Sequence, residues 1–231
     1  MLDILQQYWP MLLVGQYPNG PLGGLAMTLI LAVCGLSLSF PLAILLAVAR
    51  TSPYRWVARI SGYTVNMIRG MPLLMLIFWA YFVLPKVTGH SISGFWTLVC
   101  ALVVYESAYL SEVIRAGIEA IPKGQIEASR SLGVGYWTTL RKVILPQALF
   151  NVLPGMTSQF VSTIKETSLG YVISVNELTF AANQINNMVL TQPLQVFGIL
   201  AIMYFIVCFS LSRAVGWLDR KIRRVRQMSP A

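Results

Sequence analysis

Three ionisable residues, Glu106, Lys165 and Glu166, stand inside stretches of this chain that are otherwise long and largely apolar. A charge held away from water is costly, so such groups are paired or face a polar path. Gln159, Thr163 and Glu166 recur at helical spacing, and so do Ser158, Ser162 and Lys165. One helix across this region would therefore carry two polar rows. Lys165 and Glu166 are neighbours in sequence, point in different directions and need different partners. The carboxylates of Glu106 and Glu166 could hold an ammonium group and Lys165 a carboxylate; alternatively Lys165 pairs with Glu106 and no ligand is involved. Glu112 and Arg115 are spaced i, i+3 and could neutralise each other. Arg69 offers a further cation or an interfacial anchor, just before Gly70 and Pro72, which free backbone groups as broken helices lining transport sites do. No metal site is expected: the single histidine, His90, reads as a solvated loop residue. No His/Glu metal motif, nucleophile elbow or Cys–His constellation is present, which argues against a membrane enzyme.

These groups must be positioned by helices in lipid. The chain has 231 residues, of which 56% are hydrophobic and only 11% charged, about half the charge share of a soluble domain. Its mean hydropathy is +0.67. A span needs about 20 mostly apolar residues. Leu25 to Ala49, Ile60 to Leu84 (interrupted by "RGMP"), Gly94 to Ala116 and Pro193 to Trp217 meet this, and Gln147 to Gly170 is long enough but unusually polar. The expectation is an all-α integral membrane protein of about five spans. Glu106 would lie roughly 18 Å into the third span, near the middle of the hydrocarbon.

The net charge of +9 does not point to nucleic acid, because the basic residues cluster at the ends of apolar runs. Arg50, Arg55 and Arg59, then Arg115, Lys123, Arg130, Arg141 and Lys142, then the tail place three segments on the cytoplasmic side. The N-terminus is then outside and the C-terminus inside. Residues 1–24 read as an outer interfacial lead-in, 25–217 as the transmembrane domain and 218–231 as a basic cytoplasmic tail near anionic lipid. Cys34, Cys100 and Cys208 lie within apolar runs and read as packing residues.

The loop of about 118–146 has internal order. "IPKGQIEASRSLG" predicts a short helix with Pro122 near its start and Gly133 as a left-handed stop. "YWTTLRKVILP" predicts a second helix ending before Pro146. The pair would present Ala128, Ser129 and Gly133 for close approach by a partner. The stretch "EASRSLGVGYWTTLRKVILPQA" resembles the EAA loop of ABC-importer permeases, with Glu127, Ala128, Gly133, Leu145 and Pro146 at the expected spacing and Ser129 in place of the second alanine. "IRGMPLLMLIFWAY", "YESAYLSEVIRAGIEAIPKGQIEAS" and "KETSLGYVISVNEL" resemble recurring blocks of the polar-amino-acid branch, and "YESAYLSEVIRAGI", with Glu106 ahead of Ser-Ala-Tyr, looks closest to glutamate/aspartate permeases. Glu166 stands where a family member often has Asp.

The resemblance implies the small ABC-importer permease fold. It implies that Glu127, Ala128, Ser129, Gly133, Leu145 and Pro146 engage a cytoplasmic ATPase dimer, and that ATP and Mg are held there and not on this chain, which has no G-x-x-x-x-G-K-[ST] phosphate loop. It also implies a second permease, identical or homologous, an extracytoplasmic solute-binding protein, a bacterial inner-membrane location and an amino-acid cargo. Gln159, Ser162, Thr163, Glu106, Lys165, Glu166 and Arg69 are then candidates to line the cargo's path. Competing readings are an importer for glutamine, histidine, a basic amino acid or cystine, a secondary transporter, and a subunit that assembles without touching cargo. The chain shows no clear internal repeat of the kind secondary transporters carry.

Overall fold

The computed structural model describes residues 2–227. A short first helix, α1 (Leu2–Val14), precedes α2 (Gly24–Arg50). Then come α3 (Arg55–Arg69), α4 (Leu73–Phe78), a π-helical turn at Trp79–Val83, α5 (Leu84–Thr88) and α6 (Gly94–Glu119). Next are α7 (Lys123–Ser131), α8 (Tyr136–Thr139), a second π-helical turn at Leu140–Ile144 and α9 (Leu145–Glu166). A 3₁₀ segment, Thr167–Ile173, leads to α10 (Leu178–Val189) and α11 (Pro193–Gln227). Among the described residues the only β pairing is two isolated bridges.

The centre is a parallel pair, α2 and α6, with α9 laid against α6. Lipid tails are as apolar as leucine, so close approach at small residues does the work that water exclusion does elsewhere. Ala43 and Ala47 of α2 meet Leu110 and Ile114 of α6, and Ala148 and Met156 of α9 complete that cluster. Gly117 marks the tightest point: a Cβ there would lie 2.4 Å from Val152 Cγ1 and 3.0 Å from Ala148 O. The last turns of α2 and α6 reach one end of the bundle together with α7 and α8, the loop end. At the other end a bridge joins Gly24 to Glu177.

Three helices, α2, α6 and residues Pro193–Trp217 of α11, are long and apolar enough to cross a membrane. The run from Ile60 to Leu84, expected to be interrupted at "RGMP", is broken there: α3 and the Leu73–Thr88 segment meet at 96°. Pro72 lacks the N–H that would continue the helix, and its ring clashes with the preceding turn. The pair counts as a fourth crossing only if the bent unit is one span, and α9, with 22 residues, supplies the length of a fifth but not the apolarity.

The lead-in is itself ordered: α1 buries Ile4 and Leu12 against α10 and α11. The helix expected to stop before Pro146 does not stop. The π-helical turn runs straight into α9, so Pro146 lies within a continuous helical run, beside the irregular turn whose Leu145 N–H bonds back to Leu140 O. The expected tail is helical to Gln227, and residues 228–231 lie outside the described residues.

Candidate functional site: a polar seam and a projecting loop

The seam lies between α6 and α9. Glu106 is fully buried on α6, and Gln159 Nε2 donates to its Oε2 at 2.7 Å. Two turns further along α9, Glu166 brings its carboxyl against that of Glu106, with the Thr163 side chain beside them. Glu106 Oε1 and Glu166 Oε2 are buried and receive no hydrogen bond among the described residues. Two facing carboxyls with one amide donor and an unused oxygen each form an acceptor-rich site, the complement of an ammonium group. The row Gln159, Thr163, Glu166 thus faces α6, as its spacing requires.

Lys165 does not join them. It is exposed on another face of α9, on the side of Cys208 of α11, so it pairs with neither Glu106 nor the seam. Ser158 is exposed and Ser162 half-buried on the same row. Asn151, Gly155, Ser158 and Lys165 therefore form a second polar face on a helix of spanning length.

A ladder of side chains leads from the seam to the α3–α4 break. The Tyr105 hydroxyl donates to Tyr109 at 3.2 Å, the two rings lie 4.8 Å apart, and Tyr109 donates to the Arg69 carbonyl at 3.3 Å. The Arg69 guanidinium stacks over the Tyr109 ring at 5.2 Å. Gly70 and Pro72 form the corner just beyond it. A cation from α3, two tilted phenols of α6 and the carboxyls of Glu106 and Glu166 thus follow one another beside α6.

One turn nearer the loop end, Glu112 pairs with Arg115 at 3.0 Å, as the i, i+3 spacing allows. It also pairs with Arg50 of α2 and stands 3.9 Å from Arg69, while Arg115 reaches Glu119 at 2.5 Å. Sequence reasoning placed Arg50 on the cytoplasmic side but missed its pairing with Glu112, 62 positions away; the one available hint was an arginine ending an apolar run.

The loop is built as a bracket. Pro122 precedes α7, and Gly133 takes φ +73°, closing the helix with bonds from Gly133 N to Arg130 O at 2.9 Å and from Val134 N to Ser129 O at 3.0 Å. Gln125 and Gln147 exchange amide bonds of 3.1 and 2.8 Å, tying α7 to α9. Tyr136 donates to Thr51 O at 3.0 Å, tying α8 to the end of α2, and burial pushes that phenol's pKa up. Glu127 and Ala128 project outward, whereas Ser129 is buried and donates to Gln125 O at 2.9 Å. Ser129 is therefore a brace of α7 and not a presented group. Pro146 is exposed and Leu145 half-buried. The feature that spacing did not reveal is Leu132, 81% exposed just after α7, with Trp137 of α8 also exposed at 55%.

A family model described as "Binding-protein-dependent transport system inner membrane component" matches residues 39–224. The chain belongs to that family. An inner membrane amino-acid ABC transporter permease protein, YhdY of Escherichia coli (strain K12), is 36% identical over 88% of this chain and 57% of its own length. A probable glutamine ABC transporter permease protein, GlnP of Bacillus subtilis (strain 168), is 38% identical over 85% of this chain and 90% of its own length. Among solved structures, an amino acid ABC transporter with histidines superposes with a TM-score of 0.82 at 30% identity, covering 94% of this chain and 96% of that one. This inner membrane component thus has the all-α fold of ABC permeases. Further relatives at 33–37% identity carry names for L-cystine, arginine and glutamate/aspartate, so kinship alone selects no single cargo.

Proposed function

We propose that the chain is the permease subunit of an ATP-driven importer of polar amino acids and forms half of a path completed by a second permease, identical or homologous. The observation that carries this reading is the bracketed loop, with α7 tied to α9 by Gln125 and Gln147 and α8 tied to α2 by Tyr136, projecting Glu127, Ala128 and Leu132. A helix braced on one side and bare on the other transmits displacement from a partner to the bundle. The partner is a cytoplasmic ATPase dimer, which holds ATP and Mg; a solute-binding protein delivers cargo at the opposite end. The loop end is cytoplasmic because the arginines and lysines gather there. The bilayer is the bacterial inner membrane, with the N-terminus outside. The polar face of α9 bearing Ser158, Ser162 and Lys165 is unsuited to lipid and borders the shared path.

Within that path the Glu106–Glu166 seam receives the cargo's ammonium group, and Arg69, at the far end of the Tyr105–Tyr109 ladder, receives carboxylate, whereas Lys165 lines the other polar face of α9. The resemblance of "YESAYLSEVIRAGI" to glutamate/aspartate permeases favours an acidic amino acid, glutamate or aspartate. The alternative favoured by a specific finding is glutamine, through the relative of that name.

The test is reconstitution with the ATPase and binding protein. Glu127→Lys should abolish uptake while ATP hydrolysis continues. Normal uptake by a normally assembled Glu127→Lys complex would overturn the coupling role, and glutamate uptake unaffected by deletion of this subunit would overturn the cargo.

A further inference from the structure

Behind the bracket, between α6, α7 and the second π-helical turn, lies a cavity of about 420 Å³ that the transport reading does not use. Its floor is Ile118, Ile121, Ile126, Leu140 and Ile144, and Lys123 and Arg130 stand exposed at its edge. Glu119 also lines it, but its charge is met by Arg115 at 2.5 Å. Lys123 and Arg130 make no ion pair among the described residues. Deeper in, Thr139 is 4% exposed and lines the same space. Its hydroxyl has no hydrogen-bond partner among the described residues. Buried hydroxyls are normally satisfied, so this donor is matched to something that the chain itself does not supply.

We propose that this cavity binds a small amphipathic carboxylate with an internal oxygen acceptor. The apolar body covers the isoleucine floor, the carboxylate meets Lys123 and Arg130, and a carbonyl or ether oxygen accepts from Thr139. The volume falls in the range of sites for drug-sized molecules, roughly 300–1,000 Å³. An occupant touches α6, α7 and the turn leading into α9 at once and so fixes the angle of α7 to the bundle. That consequence for transport rests on α7 being the ATPase-engaging helix; the binding does not.

The test uses the full chain in phosphatidylcholine nanodiscs and fluorine NMR of 4-(4-fluorophenyl)-4-oxobutanoate, with empty nanodiscs as reference. Saturable binding is expected, and the Lys123→Ala/Arg130→Ala double variant and the methyl ester should each weaken it by at least about tenfold, the loss of a charge-assisted contact. Thr139→Val should weaken binding of the ketone by about threefold, one neutral hydrogen bond, and leave 4-(4-fluorophenyl)butanoate unchanged. No saturable signal beyond empty nanodiscs, or equal affinity in the double variant, means partition into lipid only and overturns the proposal. Because no ATPase is present, either result is independent of the transport reading.

Discussion

Gln159 of α9 donates a 2.7 Å hydrogen bond to Glu106 of α6 and is the one amide that supports a fully buried carboxyl there. The bond has two meanings that substitutions separate. It holds α9 to α6, and it leaves Glu106 Oε1 free to accept from something else.

Glu106→Gln should fold, because an amide can still accept from Gln159 and keeps the side chain's shape. Uptake should fall by at least about tenfold, since a charged hydrogen-bonded contact to cargo is worth roughly 1.5–3 kcal/mol. Gln159→Leu should instead lower the unfolding temperature in detergent, by stripping the 2.7 Å amide donor from a buried carboxyl. If Glu106→Gln transports at the parental rate, the carboxyl is structural and the seam does not hold cargo.

Glu112 draws Arg50, Arg69 and Arg115 together from α2, α3 and α6. Glu112→Ala would leave three guanidinium groups facing one another, half-buried. Removing one partner of a buried pair costs about 3–5 kcal/mol, and partial exposure here argues for the lower end. Glu119→Ala, whose carboxyl is 56% exposed, should cost less than about 1 kcal/mol. Unfolding temperatures of the two variants in one detergent check the ranking; equal shifts would show that the Glu112 cluster is not a structural knot.

Glu177, at the head of α10 and outside the spanning helices, is buried and accepts from Thr179 N and Phe180 N at 2.8 Å each and from the Tyr204 hydroxyl at 3.1 Å. Burial outweighs those bonds and pushes its pKa from 4.5 up to about 7. A folded-state value above the unfolded one means that the stabilisation is complete below about 4.5 and is lost as pH rises through 7. The unfolding temperature should therefore fall between pH 5 and pH 8, and Glu177→Gln should flatten that fall. An unchanged profile in Glu177→Gln would assign the pH dependence to another group.

Helical spacing made the seam's rows legible: Gln159, Thr163 and Glu166 share a face because 3.6 residues make a turn. It could not show that the row meets Glu106 while Lys165 turns away, since which face of α9 packs on α6 is decided at Gly117, Ala148 and Val152. The pairing of Arg50, read only as a cytoplasmic-side cation, with Glu112 escaped notice for the same reason, being set by the parallel packing of α2 and α6. Pro146 misled because a proline usually ends a helix, whereas here a π-helical turn precedes it and α9 starts at that point. Gly133 was legible as a stop from residue type alone, but the exposure of Leu132 beside it follows from where the bracket aims.

Gly117 tests the α6–α9 contact itself. A methyl group there would overlap Val152 Cγ1 at 2.4 Å and crowd the Ala148 carbonyl at 3.0 Å, so Gly117→Val should force the helices apart at a cost of about 1–3 kcal/mol. Gly124, on α7, has nothing within 4 Å of such a methyl group, and Gly124→Ala should be neutral or slightly stabilising through helix propensity. Thermal unfolding of both in the same nanodisc decides; a Gly117→Val variant as stable as its parent would mean that α9 can shift on α6 without penalty.

Leu132 carries the last prediction. A leucine 81% exposed at the tip of a polar loop contributes almost nothing to the bundle's own stability, so Leu132→Asp should leave the unfolding temperature of the isolated chain within about 1 °C, as surface changes usually do. If the tip seats in a groove of the ATPase, burying the leucine there is worth about 1.5–3 kcal/mol, and a carboxylate in its place is expelled. ATPase association should weaken by at least about tenfold and uptake should fall with it. Glu127→Lys, by contrast, should retain the ATPase and lose coupling. Unaltered association in Leu132→Asp would remove the tip from the interface and leave Glu127 and Ala128 as the engaging face.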